Sequence, residues 1–140
     1  PELAKMPNYY IMDLDKTMAE TVAPEMPSTA AAWLPENELA VYGAEYGRTG
    51  FQGGLQWYRC RTEGRNKDLD EFSGRPIEVP SMFVAGAADW GVYQVPGTFE
   101  RMQQRVLARM RGCHLVEGAG HWVQQERPDE VTRLLLEFLA

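Results

Sequence analysis

The sequence has 140 residues, of which 44% are apolar, and a formal net charge of −6. That is enough apolar material for one domain with a hydrophobic core. An acidic chain is poorly suited to neutralising phosphates, so we expect no nucleic-acid partner. No apolar run approaches the ~20 residues that cross a bilayer. Because neither a secretory leader nor a basic amphipathic segment is found, we expect no membrane partner and a cytoplasmic location.

The first residue and the two cysteines each support one further expectation. The chain begins at Pro1 rather than Met, so we expect a processed N-terminus or a piece of a longer chain. Cys60 and Cys113 are too few for a disulfide framework, and we expect both to be free thiols.

The N-terminal part predicts short helices between proline and glycine breaks. Residues 1–35 are rich in Pro, Met and Ala and predict a covering segment, with at most a helical turn around Asp15–Thr21. Apolar spacing predicts a helix over residues 36–48, and a second one, Leu55–Arg61, after a Gly-rich turn. Residues 62–78 are polar and predict a surface linker.

The C-terminal part predicts an α/β fold. Residues 80–85 and 113–116 read as short buried strands, with an amphipathic helix at 98–110 between them and a last helix that starts at Pro128. A strand–helix–strand unit favours parallel pairing with a right-handed crossover. Two parallel strands need further neighbours, so we expect at least one sheet edge to need a partner. The last helix is predicted to bury Val131, Leu134, Leu135, Phe138 and Leu139.

Polar side chains follow both predicted strands. Asp89 comes just after the first strand and His121 just after the second. Parallel strands end at the same edge of a sheet, so a carboxylate there could orient the imidazole and stabilise its charged form. Spacing alone favours a surface aspartate and an unrelated loop histidine, because loops at strand ends often carry polar residues. Trp122 has two interpretations, as a wall of the site or as a core residue, and His114 is predicted to be structural.

Other kinds of site find little support in the sequence. No HxH, HExxH or CxxC spacing indicates a metal, and no glycine-rich loop of the phosphate-binding type occurs, so we expect neither a metal nor a cofactor. Hydrolytic chemistry on an α/β frame needs a nucleophile on a Gly-x-nucleophile-x-Gly elbow. No such pentapeptide occurs in this chain.

Three stretches together resemble one known family. The runs PSMFVAGAADWG (residues 80–91) and HLVEGAGHWVQQERPDEV (114–131) resemble the acid strand and the histidine strand of epoxide hydrolases within the α/β-hydrolase fold. The run ELAVYGAEYGRTGFQGGLQWYRC (38–60) resembles the cap of the same group. The resemblance implies that residues 1–78 form a cap segment and linker, and that residues 79–140 form the C-terminal part of the core.

The resemblance also implies roles for individual residues. Asp89 would be the charge-relay acid, and His121 the base that activates water to hydrolyse a covalent ester. Tyr58 would donate its hydroxyl to the epoxide oxygen, a role that suits a phenol protonated at neutral pH. Without the resemblance, the residues alone favour Tyr58 as a helix tyrosine that packs in a core. The side chains expected to contact a small apolar substrate are Phe51, Trp57, Trp90 and Trp122.

Several alternatives stay open at this point. The nucleophile and the oxyanion donors would come from a missing N-terminal half, and a second copy of the chain is the other candidate partner. Otherwise the chain is a non-catalytic binding or assembly module, or it belongs to a haloalkane or ester hydrolase of the same fold. Tyr58 favours epoxides, because a halide is usually held by Trp or Asn N–H donors. Neither Tyr9 nor Tyr10 matches the motif of the family's second cap tyrosine.

Overall fold

The computed structural model describes residues 12–27 and 31–140. Tyr9, Tyr10 and much of the expected covering segment therefore lie outside the described residues. Within the segment, helix α1 (Met18–Val22) begins after Thr17 and is followed by a short 3-10 helix, Ala23–Glu25. The Thr17 hydroxyl accepts a hydrogen bond from the Glu20 N–H at 3.3 Å, and the Glu20 carboxylate accepts one from the Thr17 N–H at 2.8 Å. This reciprocal cap explains why the helix starts where it does.

Two longer helices follow. Helix α2 (Glu36–Thr49) matches the predicted helix, and α3 (Gln52–Thr62) begins three residues before the predicted start at Leu55. Gly50 has a φ of 66° and makes the turn between them, so the expected Gly-rich turn is shorter than predicted. The expected linker contains a 3-10 helix, Lys67–Phe72, and its last two residues already belong to a strand.

The sheet consists of two parallel strands within the described part of the chain. Strand β1 (Ile77–Gly86) and strand β2 (Leu107–Val116) are both longer than predicted. Their register places Phe83 beside Cys113 and Gly86 beside Val116. The predicted parallel pairing is confirmed, and both strands end at the same edge of the sheet.

The crossover between the strands differs from its prediction. Helix α4 (Thr98–Arg101) continues as a wider π-helical turn, Met102–Val106, and the chain then becomes β2. The predicted helix is wrong beyond residue 106, because residues 107–110 pair with β1 instead. Apolar periodicity cannot show that these residues pair in a sheet instead of continuing the helix, since the pairing partner is distant in sequence.

Two helices complete the C-terminal part and cover one face of the sheet. Helix α5 (Val123–Glu126) leads into α6 (Pro128–Leu139), which starts at the predicted proline. The core consists of Val116, Ala119, Val123 and Leu134, with Met82, Val84 and Val131 packed against it.

The burial predicted for the last helix is only partly correct. Leu134 is 4% exposed, as expected, but Leu135 is 46% exposed and Leu139 is 77% exposed. The prediction for these two leucines is wrong because a two-stranded sheet is narrow and contacts only one stripe of the helix.

Three further observations concern the cysteines, membrane-spanning helices and metal-binding groups of the described residues. Cys60 and Cys113 are both free, as predicted, and burial raises the pKa of the Cys113 thiol. Across residues 12–27 and 31–140, no helix has the length and apolar character needed to cross a membrane. The same residues contain no group of three or more His, Cys, Asp or Glu side chains arranged to hold a metal ion.

Candidate active site

The loops that follow β1 and β2 bring Asp89 and His121 together. His121 Nδ1 lies 3.1 Å from Asp89 Oδ1 and 3.3 Å from Oδ2. The Asp89 side chain is 12% exposed, whereas the His121 side chain is 59% exposed. The carboxylate is therefore largely shielded behind the imidazole, and the imidazole faces open space.

The hydrogen bonds of Asp89 determine which nitrogen of His121 carries the proton. Asp89 caps the 3-10 helix Trp90–Val92, and its Oδ1 accepts a hydrogen bond from the Gly91 N–H at 2.8 Å. An ionised carboxylate can only accept, so Nδ1 of a neutral His121 must be the donor. Nε2 is then left as an unprotonated acceptor able to take a proton from water.

The two loops are joined through their backbones. The Ala87 N–H donates to the Val116 carbonyl at 2.9 Å, and the Ala88 N–H donates to the Ala119 carbonyl at 3.0 Å. Gly86 permits this approach, because a Cβ at that position would lie 2.2 Å from the Gly120 carbonyl oxygen. No local signal in the sequence shows that a second backbone passes so close to Gly86.

A glutamate that the sequence analysis missed holds the histidine loop. The Glu126 carboxylate accepts hydrogen bonds from the Gly120 N–H at 2.8 Å and from the Trp122 N–H at 3.0 Å. The available signal was its position four residues after Trp122, where an acidic side chain can reach back to the start of a helix.

Tyr58 of α3 shares a cavity with His121. The cavity has a volume of about 820 Å³ and is lined by Tyr58, Gly91, Gln94, Gly120, His121, Trp122 and Glu126. Trp122 packs edge-to-face on the His121 ring, with 5.2 Å between centroids, and is 51% exposed. Its position is that of a wall of the cavity rather than of a core residue.

The other predicted contact residues lie elsewhere. Phe51 and Trp57 line a neighbouring cavity of about 720 Å³, in which Tyr58 also takes part. Phe51 stacks there on Tyr46, with 4.6 Å between ring centroids. Trp90 lines neither cavity. The structure thus brings together Asp89, His121, Trp122 and Tyr58, while Phe51 and Trp57 form a separate apolar group on the far side of Tyr58.

One hydrogen bond connects the N-terminal helices to the histidine side of the site. Gln125 Nε2 of α5 donates to the Tyr42 hydroxyl of α2 at 3.1 Å. This contact joins residues 83 positions apart and lies beside the loop that carries His121. It shows that α2 reaches the same edge of the sheet as the Asp89–His121 pair.

Comparison with known proteins gives a consistent set of relatives. No protein-family model matches the chain. The chain is 44% identical over 116 residues to epoxide hydrolase A of Mycobacterium tuberculosis, covering 81% of this chain and 34% of that protein. It is 38% identical over 114 residues to epoxide hydrolase B of the same species, covering 81% and 32%.

Solved structures agree with these relatives. An epoxide hydrolase from an endophytic Streptomyces matches with a TM-score of 0.75 and 39% identity, over 84% of this chain and 35% of that one. Epoxide hydrolase A from Mycobacterium thermoresistibile matches with a TM-score of 0.69 and 44% identity, over 81% and 34%. The chain thus spans about a third of the length of these relatives. Over the matched residues it has part of the α/β-hydrolase fold and is epoxide hydrolase-like.

Proposed function

We propose that this chain supplies the acid–base end of an epoxide-hydrolysing active site whose nucleophile lies on polypeptide outside these 140 residues. The observation that carries the proposal is the hydrogen bond between His121 Nδ1 and Asp89 at 3.1 Å, in a cavity shared with Tyr58. Residues 1–78 would act as the cap segment and linker, and residues 79–140 as the C-terminal part of the hydrolase core.

The reaction would proceed in two steps. A carboxylate from the absent part attacks an epoxide carbon, the C–O bond breaks, and the oxygen takes a proton from the Tyr58 hydroxyl. The product of this step is an ester between the enzyme and the opened epoxide. Tyr58 supports the assignment because its side chain is 67% exposed and lines the cavity that contains His121.

His121 and Asp89 would serve the second step. His121 Nε2 takes a proton from water, the resulting hydroxide attacks the ester carbonyl, and the diol leaves as the carboxylate is regenerated. Asp89 keeps Nδ1–H in place and stabilises the imidazolium as it forms. The alkoxide released from the ester takes the proton from His121, and the Tyr58 phenolate takes the proton of the newly formed carboxylic acid, so both Tyr58 and the nucleophilic carboxylate return to their starting forms.

The apolar surface of the described residues supports a missing partner surface. Val79 on β1 is 64% exposed, and Leu136 and Leu139 on α6 are 65% and 77% exposed. Apolar side chains on a parallel sheet and its covering helix are normally buried. The remainder of the relatives' length would cover these side chains and supply both the nucleophile and the oxyanion donors.

A chimera tests the proposal. This chain would replace the matched third of epoxide hydrolase A of Mycobacterium tuberculosis, and hydrolysis of styrene oxide would be measured. We expect turnover by the chimera, and none by the isolated 140-residue chain. His121→Gln should lower kcat by about 10³-fold or more, and the ester should accumulate and be visible by intact mass. Tyr58→Phe should lower kcat by about 10²-fold.

The other histidine of the chain provides the matched control. His114 lies on β2 and lines no part of the cavity that contains His121. His114→Gln in the chimera should therefore leave kcat within about threefold, as expected for a substitution away from the reacting groups. Unchanged hydrolysis in His121→Gln, or turnover by the isolated chain, would contradict the proposal.

A further inference from the structure

The backbone on both sides of His121 is held by a single carboxylate. Glu126 Oε2 accepts from the Gly120 N–H at 2.8 Å, and Oε1 accepts from the Trp122 N–H at 3.0 Å. These two N–H groups belong to the residues immediately before and after His121. Both carboxylate oxygens of one side chain therefore fix the peptide segment from which the imidazole projects.

The strength of this arrangement follows from charge and burial. Hydrogen bonds to an ionised carboxylate are roughly twice as strong as neutral ones. Glu126 is half-buried, so its carboxylate is partly removed from competing water.

His121 needs such support because its own side chain is loosely held. It is 59% exposed, and its contacts are the hydrogen bond to Asp89 and the edge-to-face packing with Trp122. The Nδ1–Asp89 distance of 3.1 Å is near the long end of the usual N–H···O range. A displacement of the loop backbone by about 1 Å would take it out of that range.

We propose that Glu126 is a positioning residue for His121, acting through the Gly120 and Trp122 N–H groups to hold the imidazole against Asp89. Glu126 does not itself need to touch a substrate or a reacting atom for this role. Its consequence for hydrolysis rests on the proposed function, but the positioning itself concerns only contacts within this chain.

The tautomer of His121 reports the positioning directly. Long-range ¹H–¹⁵N NMR of the imidazoles distinguishes Nδ1–H from Nε2–H in the neutral ring, and the chain contains only 2 histidines. While Asp89 holds Nδ1–H, that tautomer should dominate at His121. His114 does not contact Glu126 through any hydrogen bond and serves as an internal reference.

Two variants and a control complete the design. Glu126→Gln keeps the shape but can accept from only one of the two N–H groups, whereas Glu126→Ala removes both bonds. We expect the ratio of Nδ1–H to Nε2–H at His121 to fall by about threefold or more in Glu126→Gln, and further in Glu126→Ala. Asp129→Asn makes the same chemical change at an exposed carboxylate three residues later and should leave the ratio unchanged.

The possible results separate the inference from the proposed function. An unchanged His121 tautomer ratio in both Glu126 variants would overturn the positioning role, and so would equal shifts at His121 and His114, which would indicate general loss of structure. Because the readout needs no turnover, it stands whether or not the chimera hydrolyses styrene oxide. If the chimera is active, Glu126→Gln should lower kcat with little change in KM.

Discussion

Replacing Gly86 by alanine should separate the two loops of the candidate site. A Cβ at Gly86 would lie 2.2 Å from the Gly120 carbonyl oxygen and 2.3 Å from that of Ala119. Ordinary contact at 3.4 Å requires a movement of about 1.2 Å, and both obstructing atoms belong to the backbone. That movement would break the bond from the Ala88 N–H to the Ala119 carbonyl, now 3.0 Å long, and would draw Asp89 away from His121.

The expected cost combines two effects. Overpacking typically destabilises a protein by about 1–3 kcal/mol. Loss of one or two backbone hydrogen bonds adds about 0.5–1.5 kcal/mol each. We therefore expect Gly86→Ala to lower the free energy of unfolding by about 1.5–6 kcal/mol, measured by urea denaturation with tryptophan fluorescence. The Nδ1–H population of His121 should fall in the same variant.

A helical glycine provides the matched control for this substitution. Gly47 lies within α2, its φ is not positive, and a Cβ there would meet nothing within 4 Å. Gly47→Ala should raise the free energy of unfolding by about 0.4–1 kcal/mol, because alanine restricts the unfolded chain. If Gly86→Ala costs less than about 1 kcal/mol, which is ordinary for a surface change, the reasoning from backbone approach is refuted.

Two further predictions concern the core and a thiol. Leu134→Ala should lower the free energy of unfolding by about 2–5 kcal/mol, whereas exposed Leu136→Ala should change it by less than about 0.5 kcal/mol; equal urea midpoints would contradict the described core. Because burial raises the pKa of Cys113, the folded chain holds the thiol proton more tightly than the unfolded chain does. Its contribution to stability is therefore complete below the unfolded thiol pKa and is lost as pH rises through the folded value. In a Cys60→Ser background, iodoacetamide at pH 8 should alkylate Cys113 more slowly in the folded chain than in urea, and equal rates would argue against a shielded thiol.

Local patterns predicted the elements that local chemistry controls. Pro128 at the start of α6 and Gly50 between α2 and α3 mark helix boundaries that can be predicted from the few residues around them. The placement of Asp89 and His121 at one sheet edge followed from parallel pairing, and the two side chains do meet there. Strand β2 was predicted too short because residues 107–110 fit a helical pattern and only their pairing with β1 makes them a strand.

By itself, the sequence determined the order of the two strands and of the main helices and the parallel α/β class, since these depend on spacing along the chain. The roles expected for Asp89 and His121 came from the resemblance to epoxide hydrolases and not from spacing. Only the tertiary structure decided that Gly86 must lack a side chain, that Glu126 holds the histidine loop, and that Tyr58 shares a cavity with His121. These contacts join residues that are distant in sequence or depend on the direction of individual N–H groups. Neither property leaves a periodic signal in the chain, and spacing offers only the position of Glu126 four residues after Trp122 as an indication of these contacts.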